Sequence, residues 1–361
     1  MPECGIYKNM AKNNSSNGKK RVLHVLASNR FSGAENVACT IITNMSDQFD
    51  MAYCSPRGPI EKALRERNIE YYGIDKLNYK NLKKVVDKFK PDVIHAHDFR
   101  ASLVASRFGK KYRVISHIHQ DSPRVRSLTL ASLLYRHASK NFSSIIWASG
   151  AALDNFYYKN LIKNKSVVLP NVVDQKYIQL KAKEYKVDDE YDVIFLGRLV
   201  ALKNPARAIE IIRLVKEKKN DIKMAMVGDG EKRKEIESLI EKYGLEKNVK
   251  LFGYLENPYP VLNNSKLLLM TSEREGLPMV ILEAQALGKP VVSTKIGGFE
   301  KLIVNDGNGY LSNDVDDVAR KAARYLQTMT YKKMSNVSME MFRRNNNAIN
   351  YFRLLLEMYL R

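Results

Sequence analysis

A chain of 361 residues is longer than one hydrophobic core usually grows, so two domains are the expectation. With 45% hydrophobic and 27% charged residues the composition excludes a disordered chain. No run approaches the ~20 apolar residues that span a bilayer, so a membrane-spanning chain is not expected.

The charge is uneven. Of the formal +21, residues 1–180 hold 29 Lys and Arg against 14 Asp and Glu, while residues 181–361 hold 31 against 25. Within 101–150, Arg107, Lys110, Lys111, Arg113, Arg124, Arg126, Arg136 and Lys140 face one acid, Asp121. Such a patch suits an anionic membrane surface, a phosphate-bearing acceptor or nucleic acid, or is plain solvation.

Residues 1–20 are rich in Asn, Lys and Ser without the apolar core of a secretory signal, and read as a disordered leader. Cys4, Cys39 and Cys54 are odd in number and lack metal-ligand spacing, which points to a reducing, cytoplasmic setting.

From Arg21 onward, apolar runs of strand length alternate with stretches of helical period, the pattern of parallel sheets built from βαβ units. The first half predicts strands at 22–27, 93–97, 113–119 and 144–149, with a helix at 81–89. The second half predicts strands at 192–199, 223–227, 249–252, 267–271 and 290–293, with helices at 205–218, 231–243 and 278–287. A polar stretch at 175–191 has the composition of a linker. The expected division is a leader at 1–20, domains at 21–175 and 176–340, and a last helix at 341–361. That helix carries Tyr351, Leu354, Leu355, Met358 and Tyr359 on one face and is expected to pack on the first domain.

In open parallel sheets ligands sit outside the carboxyl ends of the strands. After the strand ending at Leu196 comes Gly197-Arg198-Leu199-Val200-Ala201-Leu202-Lys203, then Asn204-Pro205 as cap and first turn of a helix. Arg198 and Lys203 are two cations beside a helix N-terminus, an arrangement that binds a diphosphate. Glu275-Gly276-Leu277-Pro278 opens the next informative helix, with Gly276 allowing close backbone approach and Pro278 setting the first turn. Glu283 falls in the apolar run that follows. A carboxylate buried there needs donors, which ribose hydroxyls or a structural salt bridge would supply. Glu275, before the helix, is free to reach a reacting sugar.

In the first half, Phe31-Ser32-Gly33-Ala34-Glu35 follows the first strand and lets an acceptor or a sugar phosphate approach. It lacks the full dinucleotide fingerprint. His95, His97, His117 and His119 end two strands without a carboxylate or Cys spacing to support zinc, so no metal is expected. Asp314-Val315-Asp316 reads as helix-start acids rather than a metal motif, and Gly228-Asp229-Gly230 as a sharp turn.

Taken together, Gly197-Arg198-x4-Lys203, Glu275-x7-Glu283 with Gly276-Leu277-Pro278, Gly33-Ala34-Glu35 and Leu169-Pro170-Asn171 resemble the retaining GT-B glycosyltransferases of family 4 over nearly the whole chain. The resemblance implies an α/β fold of two Rossmann-like, doubly wound domains facing a cleft. It implies that Arg198 and Lys203 bind the donor diphosphate, Glu283 the ribose, and Glu275 with Gly276 and Leu277 the donor sugar, beside Gly197. It also implies that His119 contacts that sugar and that Gly33 approaches donor phosphate or acceptor; His117 competes with His119 for its role. Neither a metal nor another cofactor is implied. Two departures stand out: Ser32 where many members have glycine, and Val172 where glycine is usual.

The resulting expectation is retaining transfer from a nucleotide sugar, preferably a UDP-sugar, to a glycan or lipid-linked acceptor in bacterial capsule or exopolysaccharide synthesis. Peripheral contact with an anionic inner membrane face accompanies it. The alternatives are a sugar-nucleotide epimerase, a non-catalytic GT-B subunit and a basic nucleic-acid-binding protein. The last leaves Glu275 and Glu283 unexplained, and no recognised nucleic-acid-binding module appears.

Overall fold

The computed structural model describes residues 18–31, 33–119, 122–275, 279–296 and 298–361. The chain forms two compact units. One contains the segment ending at Asn171 together with Ala348–Arg361, and the other is Val172–Asn347.

The first unit is built on a parallel sheet of β1 (Arg21–Val25), β2 (Asp50–Pro56), β3 (Glu70–Ile74), β4 (Val93–Ala96), β5 (Arg113–Ile118), β6 (Ser144–Trp147) and β7 (Ser166–Val168). Their spatial order is β3-β2-β1-β4-β5-β6-β7. The second unit repeats this order with β8 (Tyr191–Leu196), β9 (Met224–Val227), β10 (Val249–Gly253), β11 (Ser265–Met270), β12 (Val291–Ser293) and β13 (Gly309–Leu311), arranged β10-β9-β8-β11-β12-β13. Each is a doubly wound Rossmann-like sheet whose strand order reverses once, between β1 and β4 and between β8 and β11. Such a reversal opens a crevice at the carboxyl ends of the strands.

Strands buried on both faces need near-continuous apolar runs, and these have them. In the first sheet Leu23, Val25, Ile94, Ala96, Val114, Ile145 and Trp147 belong to one core cluster. His24, His95 and His117 alternate with those residues and so occupy the opposite face. The second core joins Val193, Phe195, Met224, Leu267, Leu269 and Val292 to Ile209, Ile212 and Val215 of the helix Pro205–Lys216.

The last helix, Ala348–Leu360, belongs to the first unit and buries Tyr351, Phe352, Leu355 and Tyr359. Its terminal carbonyls are satisfied by cations: Lys20 Nζ donates to Leu360 O (2.9 Å) and an Arg113 guanidinium nitrogen to Met358 O (3.1 Å).

The linker expected at 175–191 is not where the units divide. Asp174 caps a helix, Gln175–Lys181, through Tyr177 N (3.0 Å), and Gln175 Nε2 donates to Ala286 O (3.2 Å), so this stretch is part of the second unit. The two ends of that unit are tied to each other. Asn346 accepts from Val173 N (2.8 Å) and donates to Val173 O (3.0 Å).

Candidate functional site

At the reversal of the second sheet the loops after β8, β9 and β11 are fastened to one another. Gly197 N donates to Val227 O and Leu199 N to Asp229 O, both at 3.0 Å. Gly228 has φ +137°, and a Cβ there would lie 1.8 Å from Gly197 O, so only glycine permits this approach. Asn204, in the left-handed region, caps the helix Pro205–Lys216 through Arg207 N (3.3 Å), with Pro205 in the first turn. From the other side, Thr271 Oγ1 donates to Lys203 O (3.0 Å) and Asn204 O (2.8 Å), and Glu273 N donates to Leu202 O (2.9 Å).

These fastenings set Lys203 against Glu275 in an ion pair, with side chains only 22% and 13% exposed. Glu275 Oε1 also accepts from Ser272 Oγ at 2.7 Å. A largely desolvated lysine paired to one carboxylate can exchange that partner for a phosphate of greater charge. Arg198 and Gly197 lie in the same loop, with Arg198 exposed.

Glu283 departs from expectation. Its helix, Met279–Ala286, buries Met279, Ile281, Leu282, Ala284, Gln285 and Ala286, but Glu283 itself is only half-buried and accepts from Tyr259 OH (3.2 Å). The helical period turns it away from the sheet while its neighbours pack inward. Gly276, Leu277 and Pro278 lie outside the described residues. Asp314 is the N-cap of the helix Val315–Tyr325, accepting from Asp317 N at 2.8 Å, as its reading as a helix-start acid required.

In the first unit Gly33 opens the helix Gly33–Met45, with Glu35 buried in its first turn; Ser32 lies outside the described residues. Asp98 bridges the loops at the sheet's reversal: Oδ2 accepts from Ala27 N (2.9 Å) and Oδ1 from Ala101 N (2.7 Å). Sequence reasoning did not single out Asp98, although Asp before a helix is the signature of a cap.

Beside this bridge lies a strip of five buried histidines. His24 is in register with His95 on the neighbouring strand, and His97, His117 and His119 continue the face. The rings of His95 and His97 stack at 4.2 Å between centroids, and those of His117 and His119 lie 3.9 Å apart. Burial pushes His24 and His119 down to about 3 and holds His95, His97 and His117 well below the ordinary imidazole value, so all five are neutral. His119 follows the last residue of β5 and is 9% exposed, whereas His117 lies inside the strand at 0%. Nitrogens of His24, His95 and His97, and of His97, His117 and His119, lie within 4.8 Å of one another and are the described groups that could hold a metal. His24 escaped the sequence reading because only strand pairing reveals its register.

The basic stretch is partly committed to packing. Arg107 stacks over Tyr79 and Arg136 over Tyr158, at 4.6 and 5.1 Å, and Arg113 caps the last helix. Alongside, the helix Leu130–Ser139 and its approach expose Leu128, Leu130, Leu133 and Leu134, and the nearby turns expose Tyr157 and Leu161. No helix among the described residues is long and apolar enough to cross a membrane.

Comparison with known proteins places this architecture. Residues 31–177 match the model of Glycosyltransferase Family 4 and residues 177–339 that of Glycosyl transferases group 1. An uncharacterized glycosyltransferase of Methanocaldococcus jannaschii is 30% identical over 62% of this chain, a match spanning 60% of that protein. A UDP-Gal:alpha-D-GlcNAc-diphosphoundecaprenol alpha-1,3-galactosyltransferase of Escherichia coli is 25% identical over 94% of this chain and 95% of its own. The crystal structure of Anabaena HepE in complex with UDP and glucose superposes with a TM-score of 0.80 at 20% identity, covering 94% of this chain and 98% of that one. The chain belongs to the group 1 glycosyltransferases of GT-B fold, with a family 4 first unit.

Proposed function

We propose that this protein transfers a sugar from a nucleoside diphosphate, preferably UDP, to a glycan or lipid-linked acceptor with retention of configuration. The observation that carries the reading is the Lys203–Glu275 pair, held by three fastened loops at the carboxyl ends of β8 and β11. A diphosphate brought there takes Lys203 from Glu275, and Arg198 adds a second cation for the charge that grows on the leaving group. Glu275, released from the lysine, then faces the donor sugar together with Gly276 and Leu277. Glu283 receives the ribose hydroxyls from the flank of its helix, while His119 and Gly33 are the first unit's own candidates for contact with substrate. The acceptor attacks on the face the nucleotide leaves, the departing phosphate takes its proton, and neither a protein nucleophile nor a metal is required.

The similarity to an E. coli enzyme named for UDP-galactose and an undecaprenyl-linked acceptor supports a UDP donor and a lipid-linked acceptor in bacterial surface polysaccharide synthesis. HepE, bound to UDP and glucose, supports the same donor class. Exposed leucines bordered by Arg124 and Lys140 support peripheral contact with anionic lipid at the inner membrane face. The test is calorimetric binding of UDP, GDP and ADP in EDTA, beside Lys203→Ala. Binding of UDP alone, abolished by the substitution, is the expected result. Binding of none of the three removes the reading.

A further inference from the structure

Two neighbouring hydroxyls serve the two halves of the Lys203–Glu275 pair. Thr271 Oγ1 donates to the carbonyls of Lys203 and Asn204 and so fixes the backbone that carries the lysine. Ser272 Oγ donates instead to the glutamate side chain, at 2.7 Å from Glu275 Oε1. Ser272 is itself pinned. It is 3% exposed, and its carbonyl accepts from Thr294 Oγ1 at 2.8 Å. Thr294, just past the end of β12, donates its own N–H to Met270 O at 3.1 Å, the last residue of β11. The hydroxyl that reaches Glu275 therefore belongs to the carboxyl edge of the second sheet, whereas Glu275 stands further out along the loop.

The two donors to Glu275 differ in permanence. Lys203 and Ser272 both bind Oε1, and Oε2 takes no hydrogen bond from a described residue. Lys203 is a mobile point charge, and a diphosphate outbids a single carboxylate for it. Ser272 carries no charge for the diphosphate to attract and is locked by Thr294, so its bond to Glu275 survives the exchange. Without that bond, a glutamate deserted by its lysine would regain its side-chain torsions at the moment it has to meet the sugar. With it, Oε1 stays anchored and Oε2 is left for a sugar hydroxyl. Small misplacements of such a group cost rate out of proportion to any single contact.

We infer that Ser272 is a positioning residue, whose hydroxyl keeps hold of Glu275 Oε1 after Lys203 has moved to the diphosphate, so that Oε2 meets the donor sugar. The inference rests on the proposed donor-sugar role of Glu275; the anchoring bond itself does not.

The experiment compares the full chain with Ser272→Ala, Glu275→Ala and the double replacement. Calorimetry gives the Kd of UDP. Acceptor-free release of UDP from UDP-glucose, UDP-galactose or UDP-N-acetylglucosamine, whichever the unmodified protein hydrolyses fastest, gives the rate. Ser272→Ala is expected to leave the UDP Kd within about twofold and to lower the rate about tenfold, the worth of one hydrogen bond. Added to Glu275→Ala, it is expected to cost nothing more, because the serine acts only through that carboxylate. A loss of UDP affinity as large as the loss of rate would mean that the hydroxyl merely props the loop, and overturns the inference. So does a tenfold loss that persists in the Glu275→Ala background. If Glu275→Ala slows hydrolysis and Ser272→Ala does not, the role of Glu275 stands and the positioning role falls. If Glu275→Ala is without effect, or none of the three sugar nucleotides is hydrolysed, the donor-sugar reading falls and takes the inference with it.

Discussion

Glu275 holds Lys203 until a stronger anion takes it, whereas Glu283 already shares a hydrogen bond with Tyr259 on the flank of its helix. The two carboxylates should fail differently. Glu283→Ala is expected to raise the donor Kd about tenfold, the loss of a hydrogen bond or two, with kcat little changed. Glu275→Ala is expected to cost about 100-fold in kcat while nucleotide affinity holds, because its contacts matter once charge redistributes. Calorimetry beside single-turnover rates separates them, and negligible effects from both would move the site elsewhere. Gly228 makes a stability prediction that involves no ligand. A Cβ at φ +137° and 1.8 Å from Gly197 O forces the two loops apart, so Gly228→Ala should lose about 2 kcal/mol or more, read from urea midpoints. The cations, both glutamates and the glycines of this loop system were legible as motifs. The pairing of Lys203 with Glu275 was not, since it depends on Thr271 and Glu273 drawing distant loops together.

Among the elements, the helix Leu130–Ser139 carries its leucines outward, Leu130 at 73% exposed, while Tyr135 and Ala138 hold it to the core. Replacing Leu130 and Leu133 together by Asp removes exposed apolar area and adds like charge toward an anionic surface. Co-sedimentation with anionic vesicles should drop at least about tenfold, with the unfolding midpoint unchanged. Binding that survives the double replacement would remove this helix from the membrane reading. The last helix supports a second test. Tyr359 OH lies 2.7 Å from His95 Nδ1, and His95 Nε2 has no partner among the described residues. Tyr359→Phe therefore leaves a buried imidazole unsatisfied and should cost about 1–2 kcal/mol. Long apolar strands such as β5 and β11 were legible in the sequence, while β2, β3, β7 and β13 were not. The last two are three-residue strands whose existence depends on ladder bonds to a neighbour, β7 to β6 and β13 to β12.

For the molecule as a whole, five neutral histidines in one unit couple its stability to pH. Their folded values lie far below the unfolded value of about 6.5, so the unfolded chain binds more protons between the two. Stability is therefore complete above pH about 6.5 and is lost as pH falls, at up to about 1.4 kcal/mol per pH unit for each group. Trp147, the single tryptophan, is buried in the first sheet and reports that unit. Its fluorescence transition should fall in temperature between pH 7 and pH 5. His117→Phe, which keeps a ring to stack on His95 and removes two nitrogens unpartnered among the described residues, should flatten the dependence. An unchanged slope would mean that His117 does not contribute.

The sequence by itself determined the architecture and the class of chemistry, because alternation of apolar runs with helical period leaves few ways to bury both faces of a sheet, and because loop motifs at strand ends are local. Tertiary structure alone decided where the units divide, since the polar stretch after Gln175 finds its partners in the second unit through Ile178 and Ala286. It also decided that His24 joins His97 and His119, residues far apart in the chain that only parallel pairing in register brings to one face.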